Sequence, residues 1–157
     1  MNGLLLDDQL CFKLYAASRA VTRGYKPMLD ALGLTYPQYL ALLVLWEWHE
    51  SQPEQPTVKA LGERLMLDSG TLTPLLKRIE QMGLVRRRRA ARDEREVHLS
   101  LSAEGLALSR KASELRQQLI CASGLDLNEL QPLQAGLEQL LARLMVLGRS
   151  APSGRSG

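Results

Sequence analysis

Apolar residues recur at helical spacing along most of this chain and switch to strict alternation in one short segment. From Asp7 to Leu32 they fall at Leu10, Leu14, Ala17, Val21, Met28 and Leu32, which predicts one amphipathic helix. Asp7 and Asp8 suit its N-terminal cap and first turn, Pro27 a kink and Gly33 its end. A second, mostly buried helix is predicted over Pro37–His49, with Pro37 in its first turn, and Ser51–Pro56 reads as a loop. Thr57 caps a short helix to Leu65, and another follows over Ser69–Met82. In the latter, Leu72, Leu76, Ile79 and Met82 share an apolar face, with Thr73, Pro74, Lys77, Arg78 and Gln81 on the other side.

The alternating segment is Val97, Leu99 and Leu101, interleaved with His98 and Ser100, and it predicts a strand. "LVRRRR" before it is its hairpin partner, with "AARDE" as the tip. Ser102 then caps a long helix to Ser123, with Leu108, Ala112, Leu115, Leu119 and Ala122 in register. Asp126 caps a last helix whose seam is Leu130, Leu133, Leu137, Leu140, Leu144 and Leu147. Two such seams fit helix-to-helix packing, either inside one chain or between two. The polar tail, residues 148–157, reads as flexible.

Composition narrows the class. The 157 residues suffice for one domain with a real core, and 45% hydrophobic against 24% charged residues excludes wholesale disorder. The 4% aromatic content and the abundance of Leu, Ala, Glu, Gln and Arg favour helices. The net charge is only +3, but six arginines between Arg86 and Arg95, against Asp93 and Glu94, give a local +4 suited to phosphates. "MNGLLLDD" lacks the basic start and apolar length of a signal peptide, and no run approaches a membrane span. The expectation is a cytoplasmic protein with reduced cysteines. Two cysteines without a histidine cluster imply neither a zinc site nor any other metal or cofactor.

Two short helices followed by an arginine-bearing hairpin predict a winged helix-turn-helix over 57–101, within a fold that is mainly α with a small β-hairpin wing. The expected partner is a double-stranded DNA operator. The second short helix would enter the major groove, with Ser69, Thr71, Thr73, Pro74, Lys77 and Arg78 on its reading surface. Arg92 and Arg95 at the wing tip would reach the adjacent minor groove, with Asp93 supporting the wing by orienting an arginine. Arg86–Arg89 alternate across a strand, so half of them are expected simply to face solvent.

The segment order and the block "LDSGTLTPLLKRIEQMGLVRRRRAARDEREVHLSLSAEG" resemble the MarR family of dimeric winged-helix repressors. "LCFKLYAASRAVTRGYKPMLDALGLTYPQYLALLVLWE" resembles the organic hydroperoxide-sensing OhrR branch, because it carries a cysteine and both tyrosines together. The wing departs from the family's usual Asp-Pro-x-Asp-x-Arg pattern, although Asp93 and Arg95 match its last acidic–basic pair. The resemblance implies a homodimer with its dimerisation region in 7–50 and 102–147, and repression of a peroxide-detoxification gene. By motif position Cys11 is the sensing thiol, and Tyr25 and Tyr36 are the tyrosines that hydrogen-bond it. Cys121 marks the two-cysteine type, which closes a disulfide between subunits.

Buried inert thiols are the commonest role for unpaired cysteines. Against that, Cys11 falls in a first helical turn, where the positive end of the dipole favours an anion, and Leu10, Phe12 and Leu14 suit an organic peroxide's apolar tail. Cys11 and Tyr25 are 14 positions apart, about 21 Å along a continuous helix. Their contact must then cross a dimer interface, the favoured reading, or the helix must break. The expected sequence of events is attack on the organic hydroperoxide, condensation with Cys121 of the partner subunit, release from DNA, and reduction by a cellular thiol system. Two rivals stand beside it: a MarR-like repressor that binds a small apolar or phenolic ligand without redox chemistry, and a thiol peroxidase.

Overall fold

The computed structural model describes residues 4–93, 95–124 and 126–150. Two compact units divide the chain, Met1–Leu119 and Ile120–Gly157.

The first unit opens with a single 3-10 turn, Leu6–Asp8, then α1 (Leu10–Gly24), α2 (Lys26–Leu32) and α3 (Tyr36–Ser51). This corrects the single helix predicted over Asp7–Leu32. Asp7 and Asp8 belong to the 3-10 turn, and α1 is capped by Gln9 without a side-chain bond. The break falls at Gly24–Tyr25 because Pro27 has no N–H to donate and its ring crowds the carbonyl four residues back. Apolar spacing runs through the break unchanged, so periodicity alone could not place it. Gly33, with φ +68°, ends α2 in the left-handed conformation as expected.

A capping box starts α3: Thr35 Oγ1 accepts the Gln38 N–H, and the Gln38 side chain accepts the Thr35 N–H at 2.9 Å. The helix begins one residue before the predicted Pro37 and runs on to Ser51. Its Tyr39, Ala41, Leu42, Val44 and Leu45 are buried and form the centre of the core. Thr57 caps α4 (Val58–Leu65) through the Ala60 N–H at 3.0 Å. Asp68 caps α5 (Ser69–Gln81) through the Thr71 N–H at 2.8 Å. Leu72, Leu76 and Ile79 of α5 are buried as the spacing predicted.

Strands β1 (Val85–Arg89) and β2 (Val97–Leu101) pair antiparallel, with Val85 opposite Leu101 and Arg89 opposite Val97. A bridge from Thr57 to His98 adds a short third edge. Ser102 caps α6 (Ala103–Ser123), accepting the Gly105 N–H at 2.9 Å while its hydroxyl donates to the Gly83 carbonyl. Gly105 in turn accepts the Trp46 indole N–H at 2.8 Å, which fastens α6 to α3.

In the second unit, Asp126 caps α7 (Leu127–Ser150), as predicted. The helix therefore covers the first residues of the tail read as flexible, and residues 151–157 lie outside the described residues. Leu133 and Leu144 of its predicted seam are exposed, and the side chain of Leu147 lies outside the described residues. No single helix among the described residues is long and apolar enough to cross a membrane.

Candidate functional site

The expected reading surface lies on α5. Its apolar face is fixed by Leu72, Leu76 and Ile79, which turns Ser69, Thr71, Thr73, Pro74, Lys77 and Arg78 outward, and all six are exposed. Pro74 sits inside the helix without an N–H, so the Gly70 carbonyl loses its helical donor on the face that carries these residues. The turn before α5 is made by Met66 at φ +56°, a left-handed position held by a non-glycine residue. Asp68, for which the sequence reading named no role, is the cap of α5.

Each of Arg86, Arg87, Arg88 and Arg89 is exposed. The wing is a two-stranded ribbon, so neither side of its tip is covered. Arg92, Asp93 and Arg95 at the tip are exposed too, and Glu94 lies outside the described residues. Asp93 Oδ1 accepts the backbone N–H of Arg95 at 2.9 Å, and its carbonyl accepts from Glu96. It therefore orients Arg95 through the backbone of the turn. A cleft of about 690 Å³ beside the wing is lined by Arg88, Arg89, Arg92 and His98, together with Glu54 and Glu96. Its basic lining fits phosphate better than an apolar ligand.

The thiol lies elsewhere in the same unit. Cys11 is the second residue of α1, in its first turn, and is exposed. No residue of α1 is buried, and Leu10 is 58% exposed, Val21 53%. Tyr15, one turn beyond Cys11, accepts a bond from Arg19 Nη1 at 3.4 Å, and the Arg19 guanidinium lies 5.4 Å from its ring centroid. That pair was legible only as a four-residue spacing. Because α1 is unbroken from Leu10 to Gly24, Tyr25 remains about 21 Å along the axis from Cys11 in its own chain. The helix break comes too late to bring them together.

Tyr25 and Tyr36 do meet each other. Their ring centroids are 5.5 Å apart, edge to face. Tyr39, which sequence reading did not single out, completes the cluster at 6.0 Å from Tyr25 and 6.5 Å from Tyr36, and Trp46 backs it. Burial, and secondly the neighbouring Tyr25 phenol, hold the Tyr36 hydroxyl above the usual phenol range. Tyr36 is therefore a protonated hydrogen-bond donor at neutral pH. Cys121 is exposed near the end of α6, in the second unit. Among the described residues there is no group of three or more metal-ligating side chains.

Residues 23–115 match the family described as transcriptional regulator SarA/Rot. The organic hydroperoxide resistance transcriptional regulator of Bacillus subtilis (strain 168) is 51% identical over 143 residues, which cover 91% of this chain and 94% of that one. The chain belongs to the MarR family, in its organic hydroperoxide-sensing branch. AbfR of Staphylococcus epidermidis is a second relative, solved in several states. Reduced AbfR bound to DNA superposes with a TM-score of 0.72 at 37% identity, covering 89% of this chain and 94% of that one. Overoxidised AbfR bound to DNA gives 0.71 at 37% identity, covering 88% and 94%. Disulfide-formed AbfR gives 0.63 at 36% identity, covering 89% and 92%. As a member of this branch of the MarR family the chain is a redox-sensing transcriptional repressor with a winged-helix DNA-binding fold.

Proposed function

We propose that this repressor works as a cytoplasmic homodimer in which Cys11 of each subunit senses organic hydroperoxide, Tyr25 and Tyr36 of the partner complete its site, and the partner's Cys121 resolves the oxidised thiol. The observation that carries this reading is the 14-residue separation of Cys11 and Tyr25 across an unbroken α1. A tyrosine about 21 Å away in one chain can serve that cysteine only from a second copy, and two-fold symmetry then makes two such sites. The apolar residues that α1 leaves exposed, among them Leu10 and Val21, supply a surface for that copy, and α7 by itself exposes Leu133 and Leu144.

The chemistry balances in two steps. The Cys11 thiolate attacks the outer peroxide oxygen and becomes sulfenic acid, and the alcohol leaves. The Cys121 thiol then attacks the sulfenic sulfur, forming the disulfide and releasing water. A relative binds DNA both reduced and overoxidised. This supports the disulfide, rather than oxygen on the sulfur as such, as the event that releases DNA. Closing the disulfide requires Cα atoms within about 7 Å. Helices that shift to reach that distance disturb the spacing of two reading heads on successive major grooves. A cellular thiol reductant reopens the bond. A thiol peroxidase would share the first step but leaves the DNA-reading fold without a use.

Lys77→Ala and Arg95→Ala test the reading surface. Both residues are exposed, one on α5 and one on the wing, and neither belongs to the proposed dimer helices. The probe is a duplex selected by the reduced wild-type protein from a random-sequence library. Each variant is expected to bind it more weakly, remain dimeric, and show a salt slope flatter by about one unit if the lost contact is a phosphate. Wild-type affinity and slope in both would remove this placement of the surface.

A further inference from the structure

We propose that Glu80 and Arg87 form a clamp that sets the wing against the recognition helix, making both positioning residues for DNA binding. The inference rests on the reading that α5 and the wing contact DNA together. Glu80 lies in the last turn of α5, and Arg87 is the third residue of β1. Arg87 Nε donates to Glu80 Oε2 at 2.8 Å, and the Arg87 backbone N–H donates to Oε1 at 3.3 Å. One carboxylate therefore holds both the side chain and the main chain of the strand.

The clamp acts where the turn no longer controls the strand. Backbone bonds from Gly83 and Leu84 to the carbonyls of Glu80 and Ile79 fix the chain as it leaves α5. Arg87 lies three residues further on, opposite Leu99 in the middle of the hairpin. Tilting the ribbon away from α5 must break both bonds to Glu80. Among the described residues Arg87 is also the one strand arginine paired with an acid, while Arg86, Arg88 and Arg89 keep their charge for other partners. The pair is about one-third exposed on each side, so it is shielded better than a fully solvated ion pair. The Arg87 hydrogen bond holds the Glu80 carboxyl below its ordinary range. The clamp is thus intact at neutral pH and is lost as pH falls below that range.

Charge alone predicts the opposite consequence. A carboxylate beside DNA repels phosphate, so deleting it should tighten binding. If Glu80 positions the wing, deleting it weakens binding. The test measures affinity for the selected duplex across a salt series for wild type, Glu80→Ala, Arg87→Ala and the double variant. Each single variant is expected to lose about tenfold in affinity, the double to lose no more than the weaker single, and all to keep the wild-type salt slope. Glu80→Gln, which keeps an acceptor for the Arg87 N–H, is expected to fall between wild type and Glu80→Ala, and it serves if the alanine loosens the fold. Tighter binding or unchanged affinity in Glu80→Ala overturns the clamp. So does additive loss in the double variant, or a slope flattened by about one unit in Arg87→Ala, which would make Arg87 a phosphate contact. Lys77→Ala and Arg95→Ala run alongside separate the two claims: wild-type affinity and slope in both overturns the reading surface itself.

Discussion

Serine in place of Cys11 is expected to give a repressor that organic hydroperoxide no longer releases from DNA. The substitution exchanges one atom at an exposed position of α1, so it should change stability by no more than about 0.5 kcal/mol. What it removes is the chemistry: a hydroxyl oxygen cannot become a sulfenic acid, and no disulfide can follow. Peroxide treatment of wild type should lower affinity toward the non-specific level, a loss of about a thousandfold or more. The variant should keep its untreated affinity at every peroxide dose. The measurement is a titration of the selected duplex before and after treatment, with the mass of the Cys11 peptide read in parallel. If the variant is released as readily as wild type, Cys11 is not the sensor, and the non-covalent ligand reading takes its place.

Gly105→Ala is expected to be the most damaging small change in the fold. In an ordinary helix interior it would stabilise by about 1 kcal/mol. Here a methyl group would lie inside the contact distance of the Leu84 carbonyl oxygen, 3.0 Å from its carbonyl carbon and 3.3 Å from Leu101 Cδ2. The obstacle is backbone, and the Leu84 carbonyl is itself held by the Ser102 N–H at 3.0 Å. Relief must move the base of the wing away from the start of α6, or move Gly105 off the Trp46 indole that it accepts from. The expected net cost is about 3 kcal/mol, the upper end of overpacking effects. For a chain of this size that corresponds to a fall in Tm of roughly 6–12 °C. Calorimetry at fixed protein concentration checks it, since the proposed dimer would make Tm concentration-dependent. An unchanged or raised Tm would mean that the α6–wing junction yields more easily than its hydrogen bonds indicate.

What was legible in the sequence was local. Thr57, Ser102 and Asp126 each cap the helix they were expected to cap, because a cap is a relation between residues two or three apart. The α5 core face followed from a period of 3.6, and strand β2 from a period of 2. The break at Tyr25 did not, since the apolar spacing continues through it. The Trp46–Gly105 bond joins residues 59 apart, and the Glu80–Arg87 pair spans a turn and a change of period. Neither leaves a periodic trace. The seam in α1 was legible as apolar, but nothing in the sequence said that it would lie unburied in the single chain. For the proposed sensor, it was the resemblance to the hydroperoxide-sensing branch that singled out Cys11, Tyr25 and Tyr36, while Tyr39 was hidden among the other apolar positions of α3.

The central claim, a sensor completed across two subunits, is tested most directly by a mixed dimer. Cys11→Ser and Cys121→Ser chains carrying different tags are co-expressed, purified through both tags, treated with organic hydroperoxide and run on a non-reducing gel. Each chain retains one cysteine of the pair, so no Cys11–Cys121 bond can form within a chain. An intersubunit sensor predicts one covalent crosslink per mixed dimer, joining Cys11 of the Cys121→Ser chain to Cys121 of the Cys11→Ser chain. No crosslink in the mixed dimer, together with a disulfide inside single chains of the wild type, would contradict it.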